Sequence, residues 1–181
     1  IQDDNACLEM FNFEISEPLE VLNATYVVTD VKCFGEATGA INIEVTGGTA
    51  PYTFDWNNDE TGDFNDDKDL INLPAAQYQL VVKDSKGCLF PLTIDINQPT
   101  SALNLTESHT DVLCFGGSSG TIDLSVSGGT TPFVYEWYNT NSQTLSDISQ
   151  DVNNLSKGSY GVIVTDANQC QENLIIPINE P

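Results

Sequence analysis

The stretch VTGGTAPYTFDWNN, beginning at Val45, comes back as VSGGTTPFVYEWYN at Val126. Trp56 and Trp137 are 81 residues apart, as are Gly47 and Gly128, Pro51 and Pro132, and Cys33 and Cys114. DVKCFGEATGAINIEV (30–45) likewise returns as DVLCFGGSSGTIDLSV (111–126). NLPAAQYQLVVKDSKGC (72–88) returns as NLSKGSYGVIVTDANQC (154–170), offset by 82 because one residue is inserted after Trp137. A period held along a whole chain means duplicated units, and a unit of this length suits one small domain. The opening, IQDDNACLEMFNFEISEP, matches the tails ending at Pro99 and Pro181. The expected organisation is residues 1–18 as the C-terminal remnant of a preceding repeat, 19–99 as repeat 1 and 100–181 as repeat 2, a piece of a longer array.

Each repeat reads as short strands. In AINIEV, Ile41, Ile43 and Val45 alternate with Asn42 and Glu44; YTFDW alternates through Tyr52, Phe54 and Trp56, and YQLVV through Tyr78, Leu80 and Val82. Period two with β-branched and aromatic residues, punctuated by Gly, Pro, Asn and Asp, is the strand signature. About seven strands per unit predict an all-β fold of tandem immunoglobulin-like antiparallel sandwiches. Gly47-Gly48 and Gly128-Gly129 would turn the chain before the aromatic strand. Tyr78 and Tyr160 sit where a sandwich places a corner tyrosine, and Asp84 and Asp166 open tight turns.

Charge excludes one large class of function. With 27 acidic residues against five lysines and no arginine, the net charge is −22, and a surface this negative repels nucleic acid, whose phosphates need clustered Lys and Arg. No apolar run approaches the roughly 18 residues of a membrane span, and no signal peptide opens the sequence.

The ordered pattern Cys-Phe-Gly, Gly-x-Ile, Gly-Gly-Thr-x-Pro-aromatic, aromatic-x-Trp, a Tyr strand and Asp-x-x-Gly-Cys resembles the SprB-type repeat of gliding Bacteroidetes surface adhesins, and more weakly PKD or immunoglobulin-like modules. Gln169 departs from the pattern, standing where repeat 1 has Gly87, which bears on the geometry of that turn. The resemblance implies a secreted, non-enzymatic module on the cell surface, exported by the type IX system and associated with the outer membrane. Its partners would be neighbouring repeats of the same chain and a surface or polysaccharide ligand.

In an exported protein, two cysteines per repeat favour disulfides. Cys33–Cys88 and Cys114–Cys170 would each close a loop of about 55 residues, worth roughly 4 kcal/mol in the chain-entropy model. Immunoglobulin strand order puts the two members of each pair toward opposite ends of the sandwich, whereas bridged Cα atoms lie within about 7 Å. Three arrangements stay open: pairing within a repeat, pairing between neighbours such as Cys33 with Cys170, and free thiols.

Catalytic chemistry has little to stand on. The one histidine, His109, has Val28 as its counterpart, and it reads as an exposed strand residue. Trp56 and Trp137 alternate in phase with core positions, although exposed they would make a sugar-stacking platform, so a carbohydrate-binding module is the rival reading. Calcium has a candidate in NNDETGDFNDDKD: Asn57, Asp59, Asp63, Asp66, Asp67 and Asp69 gather oxygen ligands around Gly62. Lys68 occupies the position where an EF-hand needs a bidentate Glu, and repeat 2 has far fewer carboxylates there. A second place for ions is the junction between repeats, if Glu17, Glu20, Asp84 and Asp95 converge there.

Overall fold

The computed structural model describes Met10, Asn12 and residues 20–57, 64–140 and 148–181. Among these residues the chain forms twelve strands and no helix, six strands in each repeat. Repeat 1 has β1 (Asn23–Thr29), β2 (Gly39–Thr46), β3 (Thr53–Trp56), β4 (Leu70–Leu73), β5 (Ala76–Lys83) and β6 (Leu89–Ile96). Repeat 2 follows with β7 (Asn104–Thr110), β8 (Gly120–Ser127), β9 (Val134–Asn139), β10 (Val152–Leu155), β11 (Gly158–Thr165) and β12 (Gln171–Ile178). The sheets are β1-β2-β4 and β3-β5-β6, then β7-β8-β10 and β9-β11-β12. This is the immunoglobulin order, three strands of one sheet and three of the other, with the strand between the third and fourth not among them. About seven strands per repeat were expected. The missing position falls between β3 and β4, and between β9 and β10, where residues 58–63 and 141–147 lie outside the described residues.

The chain divides into two compact units: residues 1–25, 43–68 and 79–92 form one, and residues 26–42, 69–78 and 93–181 the other. In the first unit β3 pairs antiparallel with β5, Thr53 opposite Lys83 and Trp56 opposite Leu80. Trp56 is fully buried, its indole N–H donating to the Asp67 carbonyl at 2.9 Å. Hydrogen bonding the ring nitrogen removes the cost of burying it.

The second unit contains all of repeat 2. Here β11 is the central strand of its sheet, with Val162 opposite Trp137 on β9 and Leu174 on β12. Ile122 and Leu124 of β8, Trp137 of β9, Tyr160, Val162 and Val164 of β11, and Ile176 and Ile178 of β12 form one core. Period-two alternation places these side chains on the inner face; at about 1.5–3 kcal/mol for each large apolar side chain fully buried, they are the main source of stability. The alternation through Val45 and Tyr52, carried one period on, puts Val126 and Phe133 on the core face; all four are half-buried, as is Leu73, and Val126 and Phe133 pack against the repeat 2 core. These positions lie at or next to strand ends. Tyr52 instead donates its hydroxyl to the Gly47 carbonyl at 2.6 Å.

Both expected tyrosine corners form: Tyr78 donates to the Pro74 carbonyl at 3.0 Å, and Tyr160 to the Ser156 carbonyl at 2.8 Å. The double-glycine turns also form. Gly47 and Gly128 have φ of 65° and 69°, and a Cβ on either would overlap the carbonyl oxygen of Val21 or Ala102. Only glycine satisfies both the left-handed backbone and the close approach.

Candidate functional site: the joint between the repeats

Two local structures, present in both repeats, build this site. The first is the Cys-Phe-Gly loop between the first and second strands of each repeat. In repeat 1, Val31 N–H donates to the Asn97 carbonyl, Asn97 N–H to Asp30 Oδ1, Gly35 N–H to Gln98 Oε1 and Glu36 N–H to the Cys33 carbonyl. In repeat 2 the same bonds run from Val112 to Asn179, Asn179 to Asp111, Gly116 to Glu180 and Gly117 to Cys114. The loop is thus clamped to the segment that follows the last strand. Glu180 also accepts from Lys157 Nζ at 3.1 Å, and these two donors hold its carboxyl below the ordinary glutamate range.

The second is the turn before the last strand. Asp84 and Asp166 are buried polar residues, and each makes a small ring of backbone bonds. Asp84 accepts from Thr49, Lys86 and Cys88, and Asp166 from Thr130, Asn168 and Cys170, all at 2.8–3.0 Å. Burial pushes the Asp84 carboxyl up, but the N–H groups of Cys88, Thr49 and Lys86 and the Cys88 thiol outweigh it and leave it below its ordinary value. Gln169, the departure from the repeat pattern, takes the same left-handed turn as Gly87, with φ of 71° against 86°.

In the second unit these two structures meet. The repeat 1 loop reaches the repeat 2 turn, and Cys33 and Cys170 are joined by a disulfide with Cα atoms 5.7 Å apart. Asn168 Nδ2 donates to the Lys32 carbonyl at 3.0 Å and to Thr130 Oγ1 at 3.1 Å, so one amide ties the loop to the turn. Phe34 packs beside Leu103, Pro99 and Asp166 around a residual cavity of about 160 Å³.

Pairing within a repeat is thereby corrected: Cys33–Cys88 and Cys114–Cys170 do not form, and Cys88 and Cys114 are exposed thiols outside any disulfide. The reason is legible in repeat 2. The loop carrying Cys114 is bonded to Asn179 and Glu180, beyond the end of β12, whereas Cys170 precedes its first residue. Eight residues of strand separate the two ends, roughly 25 Å, far beyond the reach of a disulfide. Cys7 lies outside the described residues.

Of the calcium candidates, Asp59 and Asp63 lie outside the described residues. Asn57 Oδ1 accepts from Gln79 N–H, Asp66 accepts from Trp56 N–H, and Asp67 contributes its backbone carbonyl to the indole of Trp56. Those oxygens close the end of β3 over the core. Asp69 has an interaction of its own. Among the described residues no three of His, Cys, Asp and Glu gather to hold a metal. Near the junction, Glu17 is outside the described residues, Asp84 is committed to its turn, and Asp95 accepts from Gln77 Nε2. His109 lies on β7 with Nδ1 2.9 Å from Glu107 of the same strand. Trp137 is buried like Trp56, its indole donating to the Ser149 carbonyl, so neither forms a platform. Reading the sequence missed Asn168 and Phe34. It named Asp166 only as a turn opener, and Asp84 as a turn opener and an acidic residue near the junction, though their repetition at one position was the available signal.

Residues 25–61 and 106–142 match the family model described as SprB repeat, so the resemblance read from the sequence holds at both repeats. No curated protein matches the chain. Among solved structures, the chain is similar to the N-terminal eight Ig domains of Down Syndrome Cell Adhesion Molecule, at 14% identity and TM-score 0.45, over 89% of this chain and 25% of that one. It is similar to the C-terminal 282-residue fragment of intimin, in complex with the intimin-binding domain of the translocated intimin receptor, at 15% identity and TM-score 0.45, over 91% and 64%. Domains 4–9 of the surface layer protein SbsC align at 14% identity and TM-score 0.35, over 92% and 31%. The chain therefore spans only part of the structures it resembles.

Proposed function

We propose that these two SprB-type repeats are a non-catalytic segment of an exported bacterial surface adhesin, acting as an extended spacer and adhesion module in gliding motility. The observation that carries this reading is the SprB match recurring in both repeats, on sandwiches joined by a disulfide. A disulfide suits an oxidising location outside the cytoplasm. Among the described residues no helix is long and apolar enough to cross a membrane. The net charge of −22 favours keeping neighbouring molecules soluble and apart.

Antibody raised against this segment should label intact cells without permeabilisation, and removing the gene should abolish adhesion of cells to glass and their spreading. Labelling only after lysis would overturn the surface assignment. The rival, a polysaccharide-binding module, loses its motivating feature because both tryptophans are core residues; selective binding of this segment on a glycan array would restore it. Calcium is proposed as a ligand of the acidic residues at the loop 57–69 or at the junction between repeats, where it would stiffen the rod. Small-angle scattering should give an elongated particle whose maximum dimension approaches two domain lengths. A compact particle insensitive to calcium and to chelator would count against both the spacer and the ion.

A further inference from the structure

The joint described above has two unmet halves elsewhere in the chain. Around Cys88, in the first unit, lies an open cleft of about 350 Å³ lined by Val21, Leu22, Gly48, Leu89 and Phe90. Shifted by the repeat period, these positions are Ala102, Leu103, Gly129, Gln171 and Glu172, and Cys88 becomes Cys170. Those are residues around the occupied joint, where the cavity left beside the docked Cys33 and Phe34 is about 160 Å³. Among the described residues, the cleft at Cys88 is the same socket without a loop in it. Its Asp84 ring has the geometry of the Asp166 ring, so the turn is shaped for docking before anything docks.

The other half is the loop at Cys114. Phe115 is 83% exposed, whereas Phe34, the same position in the docked loop, is 46% exposed. Leu113 and Cys114 are exposed with it, yet the loop is held by the same hydrogen bonds as its docked twin. An apolar tip presented on a clamped loop is a plug.

We propose that Cys88 and Cys114 are sites of inter-repeat disulfide bonding. The socket at Cys88 takes the Cys-Phe-Gly loop of a repeat placed before it, and the Cys114 loop enters the corresponding socket of a repeat placed after it. The first cysteine of every repeat then bonds the second cysteine of the next. The contact is head-to-tail and does not close on itself, so it propagates along an array. The inference rests on the joint itself and holds whether or not the protein is an adhesin. The oxidant is a small-molecule disulfide such as oxidised glutathione. One cysteine thiolate attacks it and expels one glutathione thiolate; the second cysteine thiolate then displaces the remaining glutathione from the mixed disulfide. Two protein thiols and one oxidised glutathione give one protein disulfide and two reduced glutathiones.

Two extended chains test the two halves, both with Cys7→Ser. One carries a second copy of residues 100–181 after Pro181; the other carries residues 19–99 twice in succession. Each is oxidised in a glutathione buffer, alkylated and mapped by mass spectrometry without reduction. The expected result in the first chain is Cys114 bonded to the added counterpart of Cys170. In the second, Cys88 of the inner copy is bonded to Cys33 of the outer copy. The native joint is the internal control: Cys114 of the first chain, or the inner-copy Cys88 of the second, remaining alkylatable while that joint is oxidised would overturn the proposal. In the first chain Phe115→Ala should slow formation of the new bond about tenfold, as expected for losing part of a phenylalanine's burial. Unchanged closure would overturn the plug.

Discussion

At the scale of single residues, the informative positions are those where the repeats agree in conformation but not in chemistry. Gly87 and Gln169 hold the same turn position with φ of 86° and 71°. A side chain in the left-handed region costs roughly 1–2 kcal/mol, and glycine there offsets this cost at the expense of a more flexible unfolded chain. Gln169→Gly should therefore raise stability by about 0.5–1 kcal/mol, read as a higher denaturation midpoint; an unchanged or lower midpoint would contradict the strain argument. Asp84 predicts an acid response. Its folded-state carboxyl lies below the ordinary value, so the ionised form stabilises the fold. That contribution is complete above the unfolded value near 3.9 and is lost as pH falls through it toward the folded one. Asp84→Asn should lower the urea midpoint at pH 7, and the gap to the parent chain should narrow as pH falls below about 4. A gap that is constant with pH would show that the ionised form is not what the turn needs.

At the scale of elements, alternation made β2, β3 and β5 and their counterparts readable before any coordinates, because a sheet with one buried face leaves its period in the sequence. The corner tyrosines were readable for the same reason: a phenolic hydroxyl on an inward position near a turn needs a nearby acceptor. Removing that hydroxyl in Tyr160→Phe should cost about 1–2 kcal/mol, the worth of one hydrogen bond plus the exposed demand of the Ser156 carbonyl. Equilibrium unfolding followed by tryptophan fluorescence measures it, since Trp137 sits opposite Val162 in the same sheet. A loss below a few tenths of a kcal/mol would show that the corner is closed by packing alone. Half-burial of Val126 and Phe133 was not readable, because alternation says which face a side chain is on and nothing of how far the opposing sheet extends.

For the molecule as a whole, the disulfide spans 137 residues, and in the chain-entropy model closing so long a loop is worth about 5 kcal/mol. Cys170→Ser, or reduction of the parent chain, should lower the unfolding free energy by about 3–5 kcal/mol, with alkylation confirming that Cys33 has become free. A change under about 1 kcal/mol would mean the contact is held by the Asn168 bridge and Phe34 without the bond. The sequence by itself determined the duplication, the all-β class, the turn chemistry and the position of the tryptophans, since each is written in local pattern or in a fixed period. It also supplied the objection to pairing within a repeat. Only the tertiary structure decided which cysteines meet. Disulfide partners are chosen by distance in space, and it took the clamping of the Cys-Phe-Gly loop beside Asn179 and Glu180, a full strand's length from Cys170, to show that a cysteine's reachable partner belongs to the next repeat.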